Sequence, residues 1–271
     1  MKAILYLFFI TTLLQSVNVS ANNLSHAVRQ GQQEHNMDEN YFELGLGARI
    51  DNHPSIFYEE SVDTGTYILI NGFYQWKGFF LEGFGESRDP LIVGYNAINL
   101  ERMSFDIVGG VQHGFPNDEE KFDGLEDRYF DFFLGGRLTT YLPEGLAQFQ
   151  LRKDVSGRHG GILVSALYGS GGQYRNWNFH YLYGIEYRSK EIDDYYWGVS
   201  EEESQNTDFA QYSGHSSLVY TAELGVTYPI TENWVFRTSY RYNYYTNVKS
   251  SLYLNTNKNA SLLAISLSYV F

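Results

Sequence analysis

The sequence predicts an all-β fold: a transmembrane, antiparallel, up-and-down β-barrel of about 12 strands (roughly 10–14) built on residues 41–271. Three observations carry this expectation. Apolar residues recur at every second position through most of the chain, the connections between these segments differ in length from one side to the other, and the chain closes on an alternating strand that ends in an aromatic residue. Composition narrows the classes further. The 271 residues include 24 tyrosines, 19 phenylalanines, 5 prolines and no cysteine, at a formal net charge of −13. Without cysteine there is no disulfide framework, no thiolate metal site and no cysteine nucleophile. An acidic chain whose Lys and Arg are scattered repels phosphates, which excludes nucleic acid as a partner. So many aromatics also argue against disorder.

Residues 1–21 read as a secretory signal peptide. Lys2 supplies the positive start, Ala3 to Leu14 the apolar run, and Val19-Ser20-Ala21 the small residues of a cleavage site after Ala21. The run of ~12 apolar residues is short of the ~20 that a spanning helix needs. No cysteine follows it to carry a lipoprotein anchor. Residues 22–40 are polar and read as a flexible periplasmic lead-in. Beyond Leu14 no apolar stretch approaches the length of a membrane helix.

The strands follow in order, at 41–50, 64–75, 77–86, 91–98, 101–112, 128–140, 145–154, 159–170, 174–188, 214–228, 233–243 and 258–271, the fourth having the weakest pattern. In the first, Phe42, Leu44, Leu46, Ala48 and Ile50 alternate with Glu43, Gly45, Gly47 and Arg49. In the fifth, Met103, Phe105 and Ile107 alternate with Arg102, Ser104 and Asp106; in the sixth, Phe130, Phe132 and Leu134 alternate with Asp131 and Gly135. The ninth sets Trp177, Phe179, Tyr181, Tyr183 and Ile185 against Asn178, His180 and Glu186, and the tenth sets Tyr220, Ala222 and Leu224 against Thr221 and Glu223. Successive side chains of a strand point to opposite faces, so each segment has one apolar and one polar face. No segment sustains a helical period.

If the chain starts on the periplasmic side, the turns after even-numbered strands are periplasmic and short: Trp76-Lys77, Asn99-Leu100, Leu142-Pro143-Glu144, the Gly171-Gly172 region and Pro229 to Glu232. The connections after odd-numbered strands include 51–63, 113–127, 189–213 and 244–257, all long, with 87–90 and 155–158 short. That segregation is the layout of outer-membrane barrels. In the last strand Leu263, Ile265, Leu267, Tyr269 and Phe271 share the face that would meet hydrocarbon. Tyr269 and Phe271 fall in the interfacial belt, and a terminal Phe with an aromatic two residues before it resembles the signal read by the barrel-assembly machinery. The expected location is the Gram-negative outer membrane, against its lipid and lipopolysaccharide.

The polar faces carry both signs. Arg49, Glu82, Glu86, Arg102, Asp106, Asp131, Arg137, Glu186, Glu223, Arg237 and Arg241 are expected to point into the lumen, with Glu223 diagonal to Arg237 and Arg241 across the tenth and eleventh strands. A largely occluded or narrow lumen is favoured, since 12 strands lie between filled eight-stranded barrels and wide porins. The long loops are acidic: Asp118, Glu119, Glu120 and Asp123 crowd one, and Glu191, Asp193, Asp194, Glu201, Glu202 and Glu203 another. Clustered carboxylates suit hard cations, but without an EF-hand spacing solvated anionic loops are the default, so no metal or cofactor is expected. His215 and Ser217 share a face and are the one weak pair for a hydrolytic reading; His180 reads as a structural lumen histidine. Gly157-Arg158-His159-Gly160-Gly161 lacks the Lys-Ser/Thr of a phosphate loop.

Three segments together resemble the MipA/OmpV family, the MltA-interacting proteins of Gram-negative outer membranes. They are Gly124-Leu125-Glu126-Asp127-Arg128 before a strand with Gly135-Gly136, Asp154-Val155-Ser156-Gly157 followed by Gly160-Gly161, and Tyr195-Tyr196-Trp197-Gly198-Val199-Ser200 ahead of an acidic stretch. The resemblance runs in order through most of the chain. It implies a non-enzymatic scaffold that joins a murein lytic transglycosylase to a penicillin-binding protein in peptidoglycan synthesis. Other members imply a narrow porin-like channel for small solutes, or a surface adhesin working through the long loops. No catalytic residue comes with the resemblance.

Overall fold

The computed structural model describes residues 24–29, 40–52, 62–85, 91–112, 124–247 and 258–271. Twelve strands form one sheet closed on itself: β1 (Tyr41–Asn52), β2 (Val62–Trp76), β3 (Phe79–Phe84), β4 (Leu91–Leu100), β5 (Met103–Gln112), β6 (Asp131–Leu142), β7 (Gly145–Asp154), β8 (Ile162–Tyr174), β9 (Trp177–Arg188), β10 (Ser217–Pro229), β11 (Trp234–Tyr245) and β12 (Asn259–Val270). Every strand pairs antiparallel with its neighbours in sequence. β12 closes the ring on β1, with Leu44 opposite Tyr269 and Ile50 opposite Leu263. Closure removes both sheet edges, which in hydrocarbon would leave a row of unpaired N–H and C=O groups.

The period-two pattern sorts side chains as expected. On β2, Leu69, Asn71 and Phe73 are buried inside, whereas Ile68, Ile70, Tyr74 and Trp76 are exposed on the outer wall. Outer aromatics gather at the rim where β1 begins and β12 ends. Phe42 meets Phe271 at 5.7 Å, Phe271 meets Tyr269 at 4.9 Å, Tyr269 meets Trp234 at 5.4 Å, and Trp177 meets Tyr228 at 4.6 Å. That rim carries the short turns, Lys77–Gly78, Glu101–Arg102, Pro143–Glu144, Arg175–Asn176 and 230–233; the long connections lie at the other rim. In an outer-membrane barrel the short-turn rim faces the periplasm.

Several expectations need correction. Gly171 and Gly172 are not a turn: they lie within β8, opposite His180 and Phe179, and the chain reverses at Arg175–Asn176 instead. Continuing the ladder satisfies backbone groups that an earlier turn would leave unpaired. Arg102 does not face the lumen. A register shift between Asn96 and Ile98 lets β4 run on to Leu100, which places Arg102 in the two-residue turn with its side chain exposed. The lumen is also not uniformly polar, since Phe73, Phe80, Phe84, Ile92 and Val108 pack together inside it.

Among the described residues, three short helices break the all-strand expectation: α1 (Leu24–Arg29), α2 (Lys190–Trp197) and α3 (Glu201–Asn206). Residues 24–29, within the segment expected as a lead-in, are helical. Six residues are far too few for an isolated helix, and α1 is held by what it buries. Leu24, Ala27 and Val28 enter the lumen at the short-turn rim and pack on Tyr141, Leu146, Leu182 and Leu167. A Cβ on Gly169 would lie 2.7 Å from the Val28 side chain, so the glycine makes the room α1 occupies. Ala21, Glu86 and the acidic segment 118–123 lie outside the described residues.

Candidate functional site

Buried ion pairs fill the lumen from its walls. Arg137 on β6 has no exposed surface; its Nη1 and Nη2 donate to Glu82 on β3 at 2.9 and 2.8 Å, and its Nε to Asp106 on β5 at 3.0 Å. Asn96 Nδ2 on β4 donates to the other Asp106 oxygen at 2.7 Å. The planar fork of a guanidinium suits this duty, bidentate to Glu82 and through one further bond to Asp106. Because β3 and β6 are not neighbours, the pair crosses the barrel as a chord.

A second cluster spans the closing seam. Glu43 on β1 accepts from Arg237 on β11, from the Ser268 hydroxyl on β12, and from Asn71 Nδ2 on β2 at 3.0 Å. The expected diagonal pairing of Arg237 with Glu223 does not form. The register of β10 and β11 sets Glu223 opposite Arg241 and Arg237 opposite Thr227, so Arg237 turns the other way around the wall. Glu223 instead accepts from Arg241 Nε at 2.8 Å and from Arg29 of α1 through two bonds of 2.9 Å, with His180 Nε2 at 3.3 Å. Glu186 accepts from Arg188 Nε at 2.8 Å and lies 3.7 Å from Arg152, whose guanidinium covers the Phe133 ring at 4.6 Å. Arg49 falls on the inward register of β1 toward the long-loop rim, where it is exposed.

At the long-loop rim the three motif segments come together as a cap. Asp154 accepts from Ser156 N at 2.7 Å, Ser156 Oγ at 2.6 Å, His159 N at 2.9 Å and Gly160 N at 2.8 Å, winding 154–160 into a tight loop. That loop aims His159 Nε2 at Asp131, 2.5 Å away, while His159 Nδ1 accepts from Gly161 N at 2.9 Å. An Nδ1 that accepts puts the neutral ring's proton on Nε2, from which it is donated to Asp131. Ile192 and Tyr196 of α2 pack on Leu163 inside the mouth. Burial and the nearby Asp131 charge push the Tyr196 hydroxyl far above the ordinary phenol range.

Arg128 locks the cap. It donates to Glu203 at 2.7 Å, to the Gly198 carbonyl at 3.1 Å and to the Glu126 carbonyl at 2.5 Å. Glu203 also accepts from Ser200 N at 2.8 Å and Glu126 N at 2.9 Å, while Ser200 Oγ accepts from Glu203 N at 3.1 Å. Ser200 and Glu203 thus form the reciprocal capping box that starts α3. Burial pushes the Glu203 carboxyl up, but these bonds and the Arg128 charge outweigh it and hold it below the usual carboxylate range. Asp193 goes the other way, raised by burial against the partial relief of Arg188 and a bond from Ser217. Gly198 ends α2 where a Cβ would fall 2.2 Å from the Asp194 carbonyl, and the buried Val199 pairs with Tyr212. Trp197 is half-buried beside Tyr196, Gly124 abuts the Asn206 carbonyl, and the Asp127 carboxylate accepts from the Tyr129 hydroxyl at 2.8 Å. Between these segments lies a groove of about 300 Å³, lined by Arg128, Asp194, Tyr195, Ser200, Tyr212 and Ser213 among others.

His215 and Ser217 part company: Ser217 is buried with Asp193 as its partner, and His215 is exposed with its ring 6.1 Å from that of Tyr212. Among the described residues no three His, Asp or Glu side chains are grouped to hold a metal ion. Glu43, Glu203 and Arg29 hold pairing roles absent from the sequence-based expectations. Glu43 shares the inward register of Arg49 and was legible from it, and Glu203 was legible from the Ser-x-x-Glu spacing. Arg29 carries no local signal, because only the folded barrel creates its partner.

The family model described as MltA-interacting protein MipA matches residues 23–271. No curated protein matches the chain. Similar solved structures include an outer membrane channel from Pseudomonas putida F1, at 9% identity and TM-score 0.42 over 89% of this chain and 98% of that one. A loop-deletion mutant of OmpT, an outer membrane protein of Vibrio cholerae, is similar at 9% identity and TM-score 0.40, over 86% and 99% of the two chains. The outer membrane channel DcaP of Acinetobacter baumannii is similar at 8% identity and TM-score 0.39, over 86% and 96%. With the match running from residue 23 to the final residue, this outer-membrane β-barrel belongs to the MltA-interacting protein MipA family.

Proposed function

We propose that the protein is a non-enzymatic scaffold of the outer membrane, holding a murein lytic transglycosylase beside a penicillin-binding protein during peptidoglycan synthesis. The family carries the name of an MltA-interacting protein, and the observation on this chain that favours a scaffold over a channel is its lumen. The chord from Glu82 through Arg137 to Asp106, and α1 seated at the short-turn rim, occupy space that a solute path would need. In this reading the leader is removed after Ala21, and Tyr269 and Phe271 are read by the barrel-assembly machinery before the outer wall meets lipid and lipopolysaccharide. The test is a crosslinking pull-down from outer membranes, read for murein enzymes. Enrichment of a transglycosylase and a penicillin-binding protein supports the scaffold; a stable conducting pore with no such enrichment replaces it by the channel.

A further inference from the structure

The short-turn rim offers a protein partner little convex surface, because its turns between strands are only two to four residues long. Its concave feature is the lumen mouth where α1 sits. That mouth reads three properties of its occupant. Tyr141, Leu146 and Leu182 take aliphatic side chains on one helical face, above the floor opened by Gly169. Glu223 takes a guanidinium through two bonds of 2.9 Å. Asn178 Nδ2 and Thr227 Oγ1 each donate to the Arg29 carbonyl at 2.9 Å, a main-chain contact that any peptide can provide.

The mouth is also built to survive the loss of its occupant. Removing one partner of a buried ion pair normally strands the other charge. Here Glu223 keeps Arg241 at 2.8 Å and His180 at 3.3 Å, both from the barrel wall, when Arg29 leaves. α1, at six residues, is helical only while docked. Docked helix and free coil are therefore two discrete states of one segment.

We propose that this mouth is an exchangeable peptide-binding site, held in cis by Leu24–Arg29. In trans it takes a segment of a periplasmic protein with the same chemistry, an aliphatic helical turn followed by arginine. The trans role rests on the scaffold reading, because it is there that a partner comes to the short-turn rim. Cis and trans segments compete for one Glu223, so the resident helix sets how readily the partner is held.

The probe is a fluorescent peptide of residues 22–31, titrated against the refolded barrel lacking those residues. Saturable binding is expected, weakened at least tenfold by Arg29→Glu in the peptide or by Glu223→Gln in the barrel. No binding, or equal binding of the Arg29→Glu peptide, overturns the site. The second measurement uses the full chain and covers a truncated barrel that does not refold. The chain has no cysteine, so a Val28→Cys, Gly169→Cys pair can form one disulfide across the mouth. Failure to crosslink, together with failure of the peptide to bind, overturns the docking of α1 in the mouth. In membranes, the oxidised variant is expected to retain several-fold less murein transglycosylase than its reduced form. Equal retention overturns the trans role while leaving the scaffold intact, and no retention by the unmodified chain counts against the scaffold itself.

Discussion

Arg137 is fully buried between two carboxylates. Both of its carboxylate partners are as deeply buried as it is, so neither can turn to water when it goes. Arg137→Met is expected to cost about 3–5 kcal/mol, the usual penalty for stranding buried charge. Arg137→Met with Glu82→Gln and Asp106→Asn should recover much of that. Urea midpoints in micelles measure both. Arg241→Met is expected to be milder, because Glu223 retains Arg29 and His180. At this scale the inward register of these side chains was legible from alternation alone. Their partners were not, since a strand's own sequence does not say which distant strand curves around to face it.

At the scale of the element, α3 and the loop ending at Arg128 form one latch closed on Glu203. Its lowered carboxyl fixes the sign of the pH response. A group bound more tightly when ionised stabilises fully above its unfolded value, about 4.3 for Glu. That contribution is lost as pH falls through the lower folded value. Hydrogen-exchange protection of the Glu126 and Ser200 amides should therefore fall in that acid window, and Glu203→Gln should abolish the dependence. Asp193 works in the opposite sense, since burial raises its carboxyl above the ordinary aspartate value and protonation relieves that burial. Ser200→Ala removes the reciprocal cap and is expected to loosen α3 by about 0.5–2 kcal/mol, read as earlier exchange through 201–206. The helix start was visible in Ser200 and Glu203 but was outweighed by the acidity of the stretch, which reads as solvated loop until a buried arginine is found to face it.

Across the whole molecule, the closed sheet encloses a lumen that holds α1 and the chord from Glu82 through Arg137 to Asp106. The protein in a planar bilayer is expected to pass far less current than an open sixteen-stranded porin, and Arg137→Met with Glu82→Gln to raise that current by clearing the chord. Phe271 sits against Phe42 and Tyr269 at the seam where the last strand meets the first. If the terminal aromatic is read by the barrel-assembly machinery, as proposed, deleting it is expected to lower the yield of assembled barrel in cells while leaving refolding into detergent nearly intact.

The closed antiparallel class, a strand number near twelve, the alternation of faces and the two unlike rims were legible in the sequence, because a two-residue repeat next to lipid leaves a closed antiparallel sheet as the stable arrangement. The tertiary structure alone decided that Gly171 and Gly172 continue a strand, that Arg237 pairs across the seam with Glu43, and that residues 24–29 turn inward to meet Glu223. Those outcomes depend on register and curvature summed around twelve strands, which place residues as distant as Glu43 and Ser268, 225 positions apart, within hydrogen-bonding distance. Periodicity is local and survives in the sequence; the meeting of distant residues is a property of the closed ring.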